Sequence, residues 1–210
     1  MKKEELIKNK ILKIIDKISI DEIRKITKKS PSLRGILLGY LAEERFHNLI
    51  LKNKKIKDIR KHDDHDRKNN KIDRDFIYNK KHRISVQLKS IQTNSIKWDD
   101  SNKRFAATVQ NDASCKREIV LPNGEKLRTT NYKVGDYDIL AVPLYPFCSK
   151  WIYAYKLNKN CRKSSYKKYT ESQKKYLLST TEKITYPLEK DWTTNLDSII
   201  KEVINDQNTK

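Results

Sequence analysis

Gln87 and Lys89 stand two residues apart in Ile84-Ser85-Val86-Gln87-Leu88-Lys89-Ser90, where apolar and polar types alternate as in a half-buried strand. Alternation puts Ser85, Gln87 and Lys89 on one face and Ile84, Val86 and Leu88 on the other. Upstream, Ile72-Asp73-Arg74-Asp75-Phe76-Ile77-Tyr78 predicts a second strand, separated from the first by the turn-like Asn79-Lys80-Lys81-His82. Asp73 and Asp75 lie an even number of residues from Gln87. A bulge-free hairpin with an odd-length loop therefore brings them to the Gln87 and Lys89 face, whereas a four-residue loop puts them on the opposite face. In the first case a carboxylate, a further oxygen and an ammonium meet on adjacent strands. That combination suits a hard divalent cation, which takes oxygen ligands, with a positive charge beside it.

This arrangement resembles the PD-(D/E)xK nuclease superfamily, the fold of most type II restriction endonucleases, over roughly residues 35–155. Asp73 matches the aspartate that opens the motif, Gln87 the acidic position and Lys89 the lysine. Ile72 stands where proline is common, and glutamine replaces Asp or Glu, as it does in some restriction enzymes of the superfamily. The segment Gly39-Tyr40-Leu41-Ala42-Glu43 is similar to the Gly-x-x-x-Glu helix whose glutamate reaches the metal in many members. The resemblance implies a restriction-endonuclease-like α/β (α+β) core, a central mixed sheet flanked by helices, and phosphodiester hydrolysis with Mg2+. Asp73 would hold the ion, Gln87 would add its amide oxygen, and Glu43 would reach it through water. Lys89 would favour hydroxide and offset charge on the phosphate. Asp75 shares the strand parity of Asp73 and is its rival as the metal aspartate. Glu43 has a second reading, an ordinary helix-surface pairing with His47 one turn on.

The elements that must position these residues follow from periodicity. Residues 2–18 carry isoleucines at helical spacing, residues 21–29 predict a short helix, and Ser32 opens a long helix to about Asn53. On that helix Leu38, Gly39, Ala42, Phe46, Leu49 and Ile50 share an apolar sector with Glu43 at its margin, while Glu44 points away. Residues 52–71 read as a charged loop containing His62-Asp63-Asp64-His65-Asp66. Two histidines among carboxylates are possible transition-metal ligands, but the spacing matches no zinc site. Phe105–Gln110 predicts a strand, and Pro122-Asn123-Gly124 turns a hairpin between 117–121 and 126–131. Tyr137–Val142 is an apolar run suited to a strand buried on both faces, with Trp151–Tyr155 as its neighbour. Helices over 170–179 and 192–204 close the chain. The whole reads as one nuclease domain: a helical segment over 1–32, a catalytic core over 33–157 holding a recognition hairpin over 92–131, and C-terminal helices over 158–210.

A balance of 47 Lys and Arg against 27 Asp and Glu leaves a net charge of +20 in 210 residues. Codon bias explains lysine in place of arginine but not that surplus, which favours a polyanionic partner, nucleic acid first. Gln92, Asn94, Lys97, Arg104, Arg117 and Arg128 carry side chains that suit base edges and phosphates. Arg162 and Lys163 belong to a basic, tyrosine-bearing loop that is either a phosphate contact or a solvated charge run. No stretch has the roughly 20 apolar residues of a membrane span, and no signal-peptide core follows Met1. Cys115, Cys148 and Cys161 are too few and too scattered for a Cys-x-x-Cys site and read as reduced thiols of a cytoplasmic protein, with Cys115 or Cys148 buried.

The leading expectation is thus a Mg2+-dependent, sequence-specific double-stranded DNA endonuclease of the type II restriction kind. Palindromic targets would make it a homodimer, and a cognate DNA methyltransferase would protect the host. The alternatives are a repair or junction nuclease on the same fold, a non-catalytic DNA-binding protein using an N-terminal helix-turn-helix, and a nuclease with a histidine-centred metal built on the His62 loop.

Overall fold

The computed structural model describes residues 12, 13, 15–62 and 72–209. They fall into two compact units, one ending at Leu38 and one beginning at Gly39. The helix expected over 2–18 lies largely outside the described residues, as does His65 and most of the charged loop after His62.

In the first unit, α1 (Ile20–Lys29) starts where Ser19 forms a reciprocal capping box with Glu22. The Glu22 N–H donates to Ser19 Oγ at 3.2 Å and the Ser19 N–H to Glu22 Oε2 at 2.8 Å, satisfying two otherwise orphaned donors. None of the residues of α1 is buried. The next helix, α2 (Pro31–Leu51), opens on proline rather than on Ser32, because a first-turn residue needs no N–H and proline's fixed φ already suits it. Its buried residues Ala42, Phe46 and Ile50, all in the second unit, recur every four positions. Leu49 stays exposed, so the stripe is narrower than the pattern suggests.

The second unit is built on a five-stranded sheet of order β1-β2-β3-β8-β9. Its members are β1 (Ile56–Lys61), β2 (Arg74–Tyr78), β3 (His82–Leu88), β8 (Ile139–Pro143) and β9 (Tyr153–Leu157). The first three run antiparallel, β3 and β8 pair in parallel, and β8 and β9 are antiparallel. A mixed central sheet is thus present. Every residue of β8 and β9 is buried, as expected for strands covered on both faces. On one face Ile84, Val86, Ile139 and Ala141 pack with Phe46 and Ile50 of α2 and with Ile200 and Val203 of the last helix, α5 (Leu196–Asn208). Tyr153 fastens α2 there, its hydroxyl donating to the Ala42 carbonyl at 2.6 Å.

Across the sheet, Leu140 and Val142 join a second core with Val109, Ile184 and Trp192. A three-stranded sheet covers it, with β10 (Thr181–Tyr186) beside β5 (Arg104–Gln110) and β4 (Lys97–Asp99). A separate ribbon pairs β6 (Asp112–Val120) with β7 (Lys126–Asn131). The short helices α3 (Tyr145–Cys148) and α4 (Glu171–Tyr176) complete the unit. Each fully buried aliphatic side chain in these cores contributes roughly 1.5–3 kcal/mol. Lys156 of β9 enters the second core only because Glu182 of β10 lies 3.1 Å from its ammonium; an unpaired charge there would be prohibitive.

Three expectations are corrected. The charged stretch after Asn53 contains β1, whose pairing with β2 supplies the order that its polar sequence conceals. Strand β10 was not expected, because Glu182 and Lys183 break its apolar alternation, yet it pairs with β5 over six residues. The buried thiol is Cys161, whereas Cys115 is exposed and Cys148 half-buried. Burial pushes the Cys161 thiol up to about 12. No helix among the described residues is long and apolar enough to cross a membrane.

Asp197 in the first turn of α5 is the fastening between that helix and the edge of the sheet. It accepts from Asn53 Nδ2 at 3.2 Å, Lys55 Nζ at 2.9 Å and Tyr78 Oη at 3.1 Å. The Lys55 hydrogen bond, more than any other contact, holds its carboxyl below the usual aspartate range. A depressed folded-state value means the stabilisation is complete above the unfolded value, near 3.9, and is lost as pH falls through the folded one. Asp197→Asn is therefore expected to cost on the order of 1 kcal/mol at pH 7, reduced by partial exposure. Urea melts should show the gap from wild type closing below about pH 4.

Candidate active site

The β2–β3 hairpin closes on three residues, Asn79, Lys80 and Lys81, with Tyr78 opposite His82. The turn-like stretch expected to end at His82 is one residue shorter, because His82 already pairs. Asn79 and Lys80 adopt φ of 50° and 59°, the left-handed conformation such a tight reversal needs. An odd loop puts Asp75 opposite Ser85, and the same register carries Asp73 to Gln87.

Asp73 lies just before β2, where the ladder runs out. Its N–H donates to the Val86 carbonyl at 3.2 Å. Its Oδ2 accepts from the Leu88 N–H at 2.7 Å and from Gln87 Nε2 at 2.6 Å. The carboxylate thus takes over from a missing backbone acceptor and is locked beside Gln87. Gln87 is 2% exposed, and its Oε1 is buried without a hydrogen-bond partner. Leaving a buried acceptor unsatisfied costs about 1–3 kcal/mol. The Asp73 carboxylate and the Gln87 amide are therefore held in contact through Nε2, with the amide oxygen unsatisfied.

Lys89 follows the end of β3. Its N–H donates to the Ala141 carbonyl of β8 at 3.1 Å, and its ammonium donates to the Asp112 carbonyl at 3.0 Å. That ammonium also lies 5.5 Å from the centre of the Tyr132 ring, and the Arg117 guanidinium lies 4.9 Å from the same ring. Burial, then the negative charge of Asp73, holds the Tyr132 phenol above its ordinary value, so it stays protonated at neutral pH. Asp112 Oδ1 is a second buried oxygen without a hydrogen bond. Asp112 and Tyr132 were missed in the sequence. They are isolated residues at either side of a hairpin, and only the β6–β7 pairing, Asp112 opposite Asn131, draws them together.

Asp75 is placed differently. Arg83 pairs with its Oδ1, and His62 Nε2 lies 2.5 Å from its Oδ2. Arg83 also reaches Asp58 at 2.6 Å. Ser85 is likewise occupied, donating to Asp138 Oδ2 at 2.7 Å and so tying β3 to the start of β8. Glu43 lies 3.9 Å from the guanidinium of buried Arg74, which donates to the Asp73 carbonyl at 3.1 Å. Glu44 faces away and accepts from Asn48 at 3.3 Å. His47, the other partner considered for Glu43, has Nδ1 buried without a hydrogen bond.

The residues expected to read DNA do not form one surface. Gln92, Asn94, Lys97 and Arg104 line a cleft of about 860 Å3 against β10, and Arg104 there is paired with Glu189 at 2.7 Å. Arg117 is not on a reading surface: it packs on Tyr132, pairs with Asp136 at 3.3 Å and donates to the Thr130 and Asn131 carbonyls of β7. Arg128 and Arg162 line a second cleft of about 770 Å3. Lys163 lies outside both, and burial lowers its ammonium below the ordinary lysine value. Among the described residues no three His, Cys, Asp or Glu side chains converge as a metal-holding group.

No family model matches the chain, and neither a curated protein nor a solved structure matches it.

The two aspartates should separate by stability. Asp75→Asn removes a largely buried charge from Arg83 and His62 and is expected to cost about 1–3 kcal/mol in chemical denaturation. An unchanged midpoint would show that the network is not formed in solution.

Proposed function

We propose that the protein is a Mg2+-dependent endonuclease that hydrolyses phosphodiester bonds of double-stranded DNA, sequence-specific and of the type II restriction kind. The observation that carries this reading is the Asp73–Gln87 contact with Gln87 Oε1 left unsatisfied, two residues before the Lys89 ammonium. The sheet around it supports the reading, since β8 and β9 extend it next to the hairpin, as the resemblance implies.

The donors fit Mg2+ in number and kind. That ion keeps several waters and takes few protein oxygens, with substrate phosphate completing its shell. Asp73 and Gln87 would hold it, and of the two candidate aspartates Asp73 is favoured because Asp75 is committed to Arg83 and His62. When bound, the ion supplies charge neutralisation at the phosphate and lowers the pKa of a coordinated water. Lys89 would place a positive charge at the scissile group, where it stabilises the added negative charge of the transition state. Arg117, sharing the Tyr132 ring with Lys89, keeps a second cation near. Tyr132, held protonated, remains a neutral surface under both. Glu43 acts through Arg74 on the Asp73 segment, a positioning role. Gln92, Asn94 and Lys97 supply the groups that would read bases. A palindromic target would require a homodimer and a methyltransferase of matching specificity.

In a plasmid-nicking assay with Mg2+, Lys89→Ala and Asp73→Asn are expected to lower cleavage at least 100-fold, the loss of a few kcal/mol of transition-state stabilisation. Duplex binding should stay within a few-fold, and Asp75→Asn should keep cleaving at temperatures where it is folded. Wild-type rates from Lys89→Ala would end the assignment to this site.

Gln87→Glu replaces a neutral ligand with a carboxylate at the same position and should tighten Mg2+ binding measured by calorimetry while preserving cleavage. Gln87→Leu should abolish the calorimetric signal. If the glutamate variant binds the ion no better than wild type, Gln87 is not a ligand.

A further inference from the structure

Two clefts of the second unit differ in charge balance. In the first, the cations Lys97, Arg104 and Lys183 share the wall with Asp99 and Glu189, and Arg104 lies within 3.7 Å of Asp99 and 2.7 Å of Glu189. In the second, Lys116, Arg128, Arg162 and Lys168 line the wall and no Asp or Glu does. None of these four has an ion-pair partner among the described residues. Four like charges around one concavity repel each other, and among the described residues no carboxylate lines the cleft with them.

The floor between them is tied together by hydrogen bonds. Thr129 Oγ1 lies 2.6 Å from Tyr169 Oη, which donates to Asn131 Oδ1 at 3.0 Å, and Asn131 Nδ2 donates to the Leu178 carbonyl at 2.6 Å. The polar floor is thus satisfied internally, while the rim cations are left for something else. A volume of about 770 Å3 is in the range that takes an extended ligand rather than a single ion. A bilayer surface reaches protruding charges, whereas a concave wall suits a strand that can enter it. The cleft also adjoins the candidate active site along the chain: Asn131 in its wall is followed directly by Tyr132, whose ring lies under Lys89.

We propose that this cleft is a second DNA-contact area, in which Arg128 and Arg162, with Lys116 and Lys168, hold the sugar-phosphate backbone of the duplex independently of base reading. The proposal takes its polyanion from the DNA-binding reading above. It does not depend on catalysis.

The test is fluorescence anisotropy of a labelled DNA duplex at a series of salt concentrations in EDTA, with the full chain. Arg128→Ala/Arg162→Ala should weaken binding at least tenfold and flatten the slope of log affinity against log salt by about 1.8, at about 0.9 per lost phosphate contact. Arg128→Lys/Arg162→Lys should keep most of the slope. Lys80→Ala/Lys81→Ala, a charge-matched pair at the exposed β2–β3 turn, should leave it nearly unchanged. Equal flattening by the turn pair would overturn the proposal, as would an unchanged slope in the cleft pair. So would vesicles of anionic lipid that compete with the duplex for wild type but not for the cleft pair. Cleavage with Mg2+ is scored separately: a flattened slope with no wild-type cleavage removes the nuclease reading and leaves the cleft, and normal cleavage with an unchanged slope does the reverse.

Discussion

Strand β8 must be covered on both faces, and much of the second unit answers to that requirement. Ile139 and Ala141 face one core, Leu140 and Val142 the other, and none of the four is exposed. A strand of this kind cannot lie at an edge or face water, so it forces a layer on each side. The α2 and α5 side chains make one layer, and β5 with β10 makes the other. Its parallel pairing to β3 requires a long crossover, and residues 89–138 provide it with strands rather than a helix.

The candidate site is a consequence of where that crossover begins. Beyond Val86, β3 no longer pairs with β2, so the Leu88 N–H on that side has no strand carbonyl to meet. Asp73 meets this loss with its carboxylate, taking both the Leu88 N–H and the Gln87 amide. Lys89, the first residue out, turns its ammonium to the Asp112 carbonyl at the start of β6. The unsatisfied oxygens of Gln87 and Asp112 lie at this junction. Buried polar atoms in protein interiors are nearly always met by protein, water or an ion.

Charge is distributed with the same economy. In a chain with 20 more cations than anions, carboxylates are scarce, and several serve as fastenings. Asp197 joins α5 to β2, Asp138 joins β8 to β3, Glu182 neutralises Lys156 and Asp75 holds Arg83. What remains includes one cleft lined by cations without a carboxylate, the condition under which counterion release drives binding to a polyanion.

The strands near the site were legible in the sequence because alternation and turn residues are local signals. Ile84 to Leu88 declares its buried face, Asn79 to His82 declares a reversal, and the Tyr137–Val142 run declares burial on both sides. Parity alone limited Asp73 and Asp75 to one face or the other. Tertiary structure decided the rest. The three-residue loop selected the face, and Arg83 and His62 claimed Asp75, leaving Asp73 beside Gln87. Asp112 and Tyr132 reached Lys89 through a ribbon whose partners are distant in sequence, and β1 and β10 became strands because neighbours completed their hydrogen bonds. Periodicity records which way a side chain points within its own element. Which other element will be there to meet it depends on long-range packing, and no local pattern carries that information.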